Sequence, residues 1–94
     1  MKNNPLVSVI VNCHNGEKYI HEAIESILDQ SYNNFEIIIW DNCSNDKTKS
    51  IIEKIDDKRI RYFYSDKKAT LYHARNLALN VTQGDLITFL DVDD

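Results

Sequence analysis

Leu6-Val7-Ser8-Val9-Ile10-Val11 carries apolar side chains on both faces of an extended chain, the pattern of a strand covered by helices on both sides. The run is interrupted by Ser8 and is far too short to span a bilayer. No signal-peptide cleavage pattern accompanies it. Working outward, Ile20, Ala23, Ile24, Ile27 and Leu28 recur at helical spacing between Asn15, read as an N-cap, and Gln30. Ile37-Ile38-Ile39-Trp40 is a second two-faced strand. Ser44 to Asp46 offer capping oxygens to a helix carrying Ile51, Ile52 and Ile55. Ile60 to Tyr64 reads as a third strand. Leu71, Ala74, Leu77, Ala78 and Val81 mark a third helix, closed by Gly84 as its C-cap, before a fourth strand at Leu86-Ile87-Thr88-Phe89-Leu90.

Each helix stands between two strands, which predicts right-handed crossovers and a parallel α/β sheet with helices on both faces. In the strand order 3-2-1-4 the first and fourth strands are neighbours, and a ligand crevice opens between them beyond their carboxyl ends. The 94 residues are expected to form one domain, 43% apolar and 28% charged, with only two glycines and one proline and so no flexible linker. A net charge of −4 excludes a general nucleic-acid or membrane-surface binder. Two cysteines without a secretion signal read as reduced thiols of a cytoplasmic protein. Because the chain stops soon after the fourth strand, it is expected to be truncated there. That strand would then form an exposed sheet edge that invites self-association.

The polar residues at the strand ends are the informative ones. Asn12-Cys13-His14-Asn15 follow the first strand, Asp41-Asn42-Cys43-Ser44 the second, and Asp91-Val92-Asp93-Asp94 the fourth. Residues two apart in extended chain point the same way, so Asp91 and Asp93 face one site. Neighbouring carboxylates repel unless a hard divalent cation joins them, and Mg²⁺ or Mn²⁺ suits oxygen ligands of this kind. The plain alternative is a solvated acidic tail. Asp41 stands where nucleotide-binding α/β folds place an acid for ribose or base, or else it is a turn aspartate. Asp46 reads as a helix-terminus charge. Asn12 and Asn15 suit amide or imide edges, or local backbone. Arg75 offers a phosphate-matching fork, with a surface ion pair as the alternative. The sequence has no Gly-x-Gly-x-x-Gly and no Gly-Lys-Ser/Thr, so a bound diphosphate would need a metal. His14, His21 and His73 share no zinc-ligand spacing.

Several segments together resemble the amino-terminal half of a family 2 glycosyltransferase. They are Pro5 to Val11, Asn15-Gly16 with Tyr19-Ile20, Ala23 to Tyr32, Phe35 to Ile39, Asp41, Ser44-Asn45-Asp46, Ala74-Arg75-Asn76 and Gly84-Asp85 through Phe89 to Asp94. The resemblance covers nearly the whole chain, in order. It implies a Rossmann-like GT-A fold and metal-assisted, inverting sugar transfer from a nucleotide-diphosphate donor, with UDP favoured. The acceptor would be a carbohydrate or a lipid-linked sugar, as in polysaccharide biosynthesis. It also implies that Asn12, Cys13, His14, Asn15, Asp41 and Asn42 line the donor nucleotide site. Arg75 would lie near base or phosphates, Asp91 near ribose and metal, and Asp93 would be the principal metal ligand. The catalytic base would lie downstream of Asp94, leaving this chain inactive alone. Family members usually read Pro-Thr-Tyr-Asn at 12–15 and Asp-Asp-Gly-Ser at 41–44, and Asp66-Lys67-Lys68-Ala69 replaces a usual Asn-x-Gly segment. Cys13 and Cys43 end neighbouring strands and read as small pocket-lining residues.

Two other classes compete. A nicotinamide oxidoreductase would use Asp41 on ribose but lacks the glycine fingerprint. A non-catalytic regulatory domain of the phospho-acceptor type would need acids after strands one and three, where Asn12 and Tyr64 stand.

Overall fold

The computed structural model describes residues 4–67 and 69–93, with the side chains of Leu71 and Asp93 left aside. Lys68, Asp94 and the Asp93 carboxylate, which the sequence places among the interesting groups, thus lie outside the described residues. Strands and helices alternate as β1 (Val7–His14), α1 (Ile20–Leu28), β2 (Phe35–Asn42), α2 (Thr48–Glu53), β3 (Ile60–Ser65), α3 (Leu71–Leu79) and β4 (Leu86–Asp93). The sheet has the order β3-β2-β1-β4, with β1 parallel to both β2 and β4, and β2 parallel to β3. This is the expected fold. Among the described residues no helix is long and apolar enough to cross a membrane.

Alternation along the central strands sorts side chains into two layers. Val11, Cys13, Ile37 and Ile39 point to one face and pack with Ile20 and Ile24 of α1 and Ile52 of α2. Ile10 and Ile38 point to the other and meet Ala78 of α3, flanked by Trp40, Phe63 and Val81. β-Branched residues on both faces suit strands covered twice. Among the described residues β4 has one strand neighbour, and Leu86, Ile87, Phe89 and Leu90 remain 37–55% exposed along it.

A buried polar network closes the amino end of the sheet. The Ser8 hydroxyl donates to Glu36 Oε2 (2.6 Å) and accepts from the Gly84 N–H (2.8 Å). Glu36 Oε2 also accepts from the Gln83 N–H (2.6 Å), and Oε1 accepts from Arg61 Nη1 (2.9 Å). Arg61 further donates to the Val81 carbonyl (2.8 Å). The connection from α3 to β4 is thereby bolted to three strands. Gly84 is not the C-cap of α3. Asn80 holds that position, and Gly84 is small because Ser8 and Leu6 press against it.

Other boundaries also move. β1 runs on through Asn12, Cys13 and His14; Asn12 and Cys13 pair in register with both neighbours, and His14 with β4. β2 begins at Phe35 and takes in the buried, charged Glu36. Asp91 and Asp93 lie within β4 rather than beyond it. The N-cap of α1 is Tyr19, without a side-chain bond, and not Asn15. α3 is capped by Thr70, whose hydroxyl accepts from the His73 N–H (3.2 Å).

Candidate functional site

At the carboxyl ends of β1 and β2 the chain turns through two left-handed residues, Asn15 (φ 52°) and Cys43 (φ 62°). Asparagine tolerates this conformation better than most residues, and cysteine adopts it uncommonly. The two turns are tied together. Asn15 N–H donates to Ser44 Oγ (2.8 Å), and Asn45 N–H donates to Asn15 Oδ1 (2.9 Å). Gly16 N–H donates to Thr48 Oγ1 (3.0 Å), and Glu17 N–H to Asp46 Oδ2 (3.2 Å). Asp46 Oδ1 accepts from both the N–H (3.0 Å) and hydroxyl (2.5 Å) of Thr48, at the amino end of α2. Desolvation would raise the Asp46 pKa. The Thr48 hydroxyl, followed by the Thr48 and Glu17 amides, outweighs it, so the carboxyl sits below its ordinary range.

The predicted nucleotide residues divide between the two faces of the sheet. Cys13 lies in the α1/α2 core, where burial first, then Asp41 and Asp46, push its thiol pKa well above the usual range. Asp41 shares that face and is fully buried. Its Oδ1 accepts from the Ser44 N–H (3.0 Å), three residues ahead, and its Oδ2 from the Tyr62 hydroxyl (2.6 Å). Asp41 is therefore a turn aspartate with a half-buried tyrosine partner. Burial, reinforced by that bond, raises the Tyr62 pKa far above its ordinary value. Tyr62→Phe would strand one buried carboxylate oxygen and is expected to cost about 1–3 kcal/mol, read from the urea midpoint.

The α3 face gathers the rest. His14 Nδ1–H donates to the Asn42 carbonyl (2.6 Å), which leaves Nε2 as an acceptor for Asn15 Nδ2 (3.4 Å). The Asn42 carboxamide is consumed by one residue, donating to the Ala69 carbonyl and accepting from the Ala69 N–H (2.8 Å each). It clamps the segment that leads into α3. Asn12 pairs in register with Trp40 on one side and Asp91 on the other. Arg75 Nη2 on α3 donates to Asp91 Oδ2 (2.7 Å), and the guanidinium carbon lies 5.1 Å from the Phe89 ring centroid. Asn12 Nδ2 and Oδ1, Trp40 Nε1 and Arg75 Nε are buried without partners among the described residues. Buried polar atoms nearly always have partners, so these four, on or beside the α3 face, stand out.

Among the described residues no three His, Cys, Asp or Glu side chains cluster to hold a metal ion. Asp91 by itself brings hard carboxylate oxygens to a partly exposed position. That fits a cation of the Mg²⁺ or Mn²⁺ type, which keeps most of its shell for water and phosphate. It does not fit a closed, all-protein metal cage. Trp40, Tyr62 and Phe89 help build the site but carry no sequence mark of it. Each looks like a core aromatic until the register places it.

The comparisons agree with this architecture. The model of the family described as glycosyl transferase family 2 matches residues 8–94. An uncharacterized glycosyltransferase of Haemophilus influenzae is 45% identical over 94 residues, covering 98% of this chain and 38% of that protein. The Escherichia coli UDP-Glc:alpha-D-GlcNAc-diphosphoundecaprenol beta-1,3-glucosyltransferase WfaP is 44% identical over 89 residues, covering 95% and 36%. Among solved structures, the mannosyltransferase PcManGT of Pyrobaculum calidifontis, in complex with GDP-Man and Mn²⁺, superposes with a TM-score of 0.87 at 27% identity. That match covers 96% of this chain and 28% of the other. The chain thus spans well under half the length of these relatives. Its sheet order, the GT-A neighbours and the match over almost every residue place it in glycosyl transferase family 2.

Proposed function

We propose that the chain is the donor-binding portion of an inverting glycosyltransferase that takes sugar from a nucleotide diphosphate, UDP favoured, with help from Mn²⁺ or Mg²⁺. The observation that carries this reading is the Arg75–Asp91 pair beside Asn12, between the carboxyl halves of β1 and β4 where the strand order reverses. WfaP, by its name, uses UDP-Glc and a lipid-linked acceptor, and PcManGT was solved with GDP-Man and Mn²⁺. Those properties are proposed here for the whole protein of which this chain is part.

In this reading Asn12, His14 and Asn42 form the base side of the crevice. Asn15, Cys13 and Asp41 shape it from behind through the tied turns and the buried carboxylate. Arg75 offers its fork to phosphate oxygens, and Asp91, with Asp93 as the second acid of the sequence pair, would hold the cation. When bound, that cation would offset the charge growing on the departing diphosphate. Deprotonation of the acceptor hydroxyl needs a positioned base, proposed to come from the remaining portion of the full-length protein. The chain alone is then expected to bind donor without transferring sugar.

Calorimetric titration with UDP and GDP, with and without Mn²⁺, tests this. Metal-dependent binding of one nucleotide is expected, weakened at least about tenfold in Asp91→Asn and in Asp93→Asn. Equal affinity in wild type and both variants would remove the metal bridge. No nucleotide binding at all would remove the donor-site reading.

A further inference from the structure

Arg75 and Asp91 are joined at 2.7 Å with their side chains 31% and 38% exposed. Two features show how the guanidinium is kept there. Phe89, two residues before Asp91 on β4, presents its ring to the same guanidinium, a cation–π contact that leaves the fork free to turn toward the carboxylate. The Nε hydrogen is buried and unmet among the described residues. An arginine so placed is held by its charge partner and a ring face rather than by a complete set of hydrogen bonds. Asn12, the register partner of Asp91, carries a buried Oδ1 that is also unmet.

We infer that Arg75 guards Asp91, so that a divalent cation gains this carboxylate only when a nucleotide diphosphate draws the guanidinium away. The inference rests on the reading of Asp91 as a cation ligand. In the free protein the guanidinium and a divalent cation compete for one carboxylate, and they repel each other at that range. A diphosphate changes both terms. Its oxygens accept from the fork with two parallel bonds and carry more negative charge than the one Asp91 oxygen that the fork meets here. The same oxygens also enter the cation's shell. Nucleotide and cation therefore bind with positive coupling, and linkage makes the coupling reciprocal. Arg75 is the residue that carries it, positioned by Phe89.

The test is Mn²⁺ binding to this chain, followed by electron paramagnetic resonance without nucleotide, with UDP and with GDP. Wild type is expected to bind Mn²⁺ about tenfold more tightly when the nucleotide is present. Arg75→Gln is expected to bind Mn²⁺ without nucleotide about tenfold more tightly than wild type, and to lose most of the nucleotide dependence. Arg75→Lys, which keeps the charge, should retain it. Arg75→Met keeps the stem against Phe89 and serves as the neutral variant if Arg75→Gln does not fold. Equal Mn²⁺ affinity of wild type and the neutral variant in the absence of nucleotide overturns the guarding role and leaves the cation reading standing. If no Mn²⁺ binding depends on Asp91 with either nucleotide present, both fall.

Discussion

Glu36→Ala is expected to lower stability by about 3–4 kcal/mol, a large share of a domain's whole margin of order 5–15 kcal/mol. Glu36 is 6% exposed near the amino end of the central strand β2 and accepts from Ser8, Gln83 and Arg61. Truncation strands three donors at once, one of them cationic, although the partial exposure of Arg61 softens that part. Burial would raise the Glu36 pKa, but the Ser8 hydroxyl, the Gln83 amide and Arg61 outweigh it and hold the carboxyl below its ordinary value. The sign follows from linkage. A depressed folded-state pKa contributes stability that is present above the unfolded value and is lost as pH falls through the folded one. Urea midpoints of wild type should therefore decline in the acid range, and Glu36→Gln should flatten that decline. A Glu36→Ala midpoint equal to wild type would show that the network contributes nothing.

Gly84→Val is the second large effect, expected at about 3 kcal/mol or more. A Cβ at this position would overlap Ser8 Oγ and come within 2.7 Å of Ser8 N and 2.9 Å of the Leu6 carbonyl. Those atoms are backbone and a bonded hydroxyl, so relief requires the connection before β4 to lift off β1. Lifting it would break the Gly84–Ser8 bond and strain those from Asp85 N–H and Leu86 N–H to the Leu6 carbonyl (2.7 and 3.2 Å). Overpacking commonly costs 1–3 kcal/mol, and an unmet buried hydroxyl adds to it. Gly84→Ala should show a smaller loss in the same direction. Pairing it with Ser8→Ala should recover part of that loss, because the overlapped hydroxyl is gone. A double variant no more stable than Gly84→Ala alone would mean that the backbone contacts dominate.

The strand order was legible because each of β1, β2 and β4 is apolar on both faces, and helical spacing separates them. The same two-sidedness hid the geometry of the site. When both faces of a strand are apolar, nothing in the run says which face the next polar residue will take. Asp41 therefore looked equivalent to Asn42, yet one is sealed under α2 and the other faces α3. Asn15 and Gly84 were misplaced for a different reason. Capping rules are local, whereas Asn15 binds a turn 30 residues away and Gly84 yields to Ser8, 76 residues away. Glu36 carries no sequence sign of its place in a strand, because its charge is only tolerable with partners brought by the fold.

The in-step pairing of β1 with both neighbours has an evolutionary consequence. Core and crevice are written on alternate letters of the same strand, so a single-residue insertion or deletion between Ser8 and His14 would swap them, sending Asn12 into the oily layer and Val11 or Cys13 to the mouth. Specificity in such a chain is open to revision by point substitution and by lengthening the turns, while the strand itself admits no change of frame.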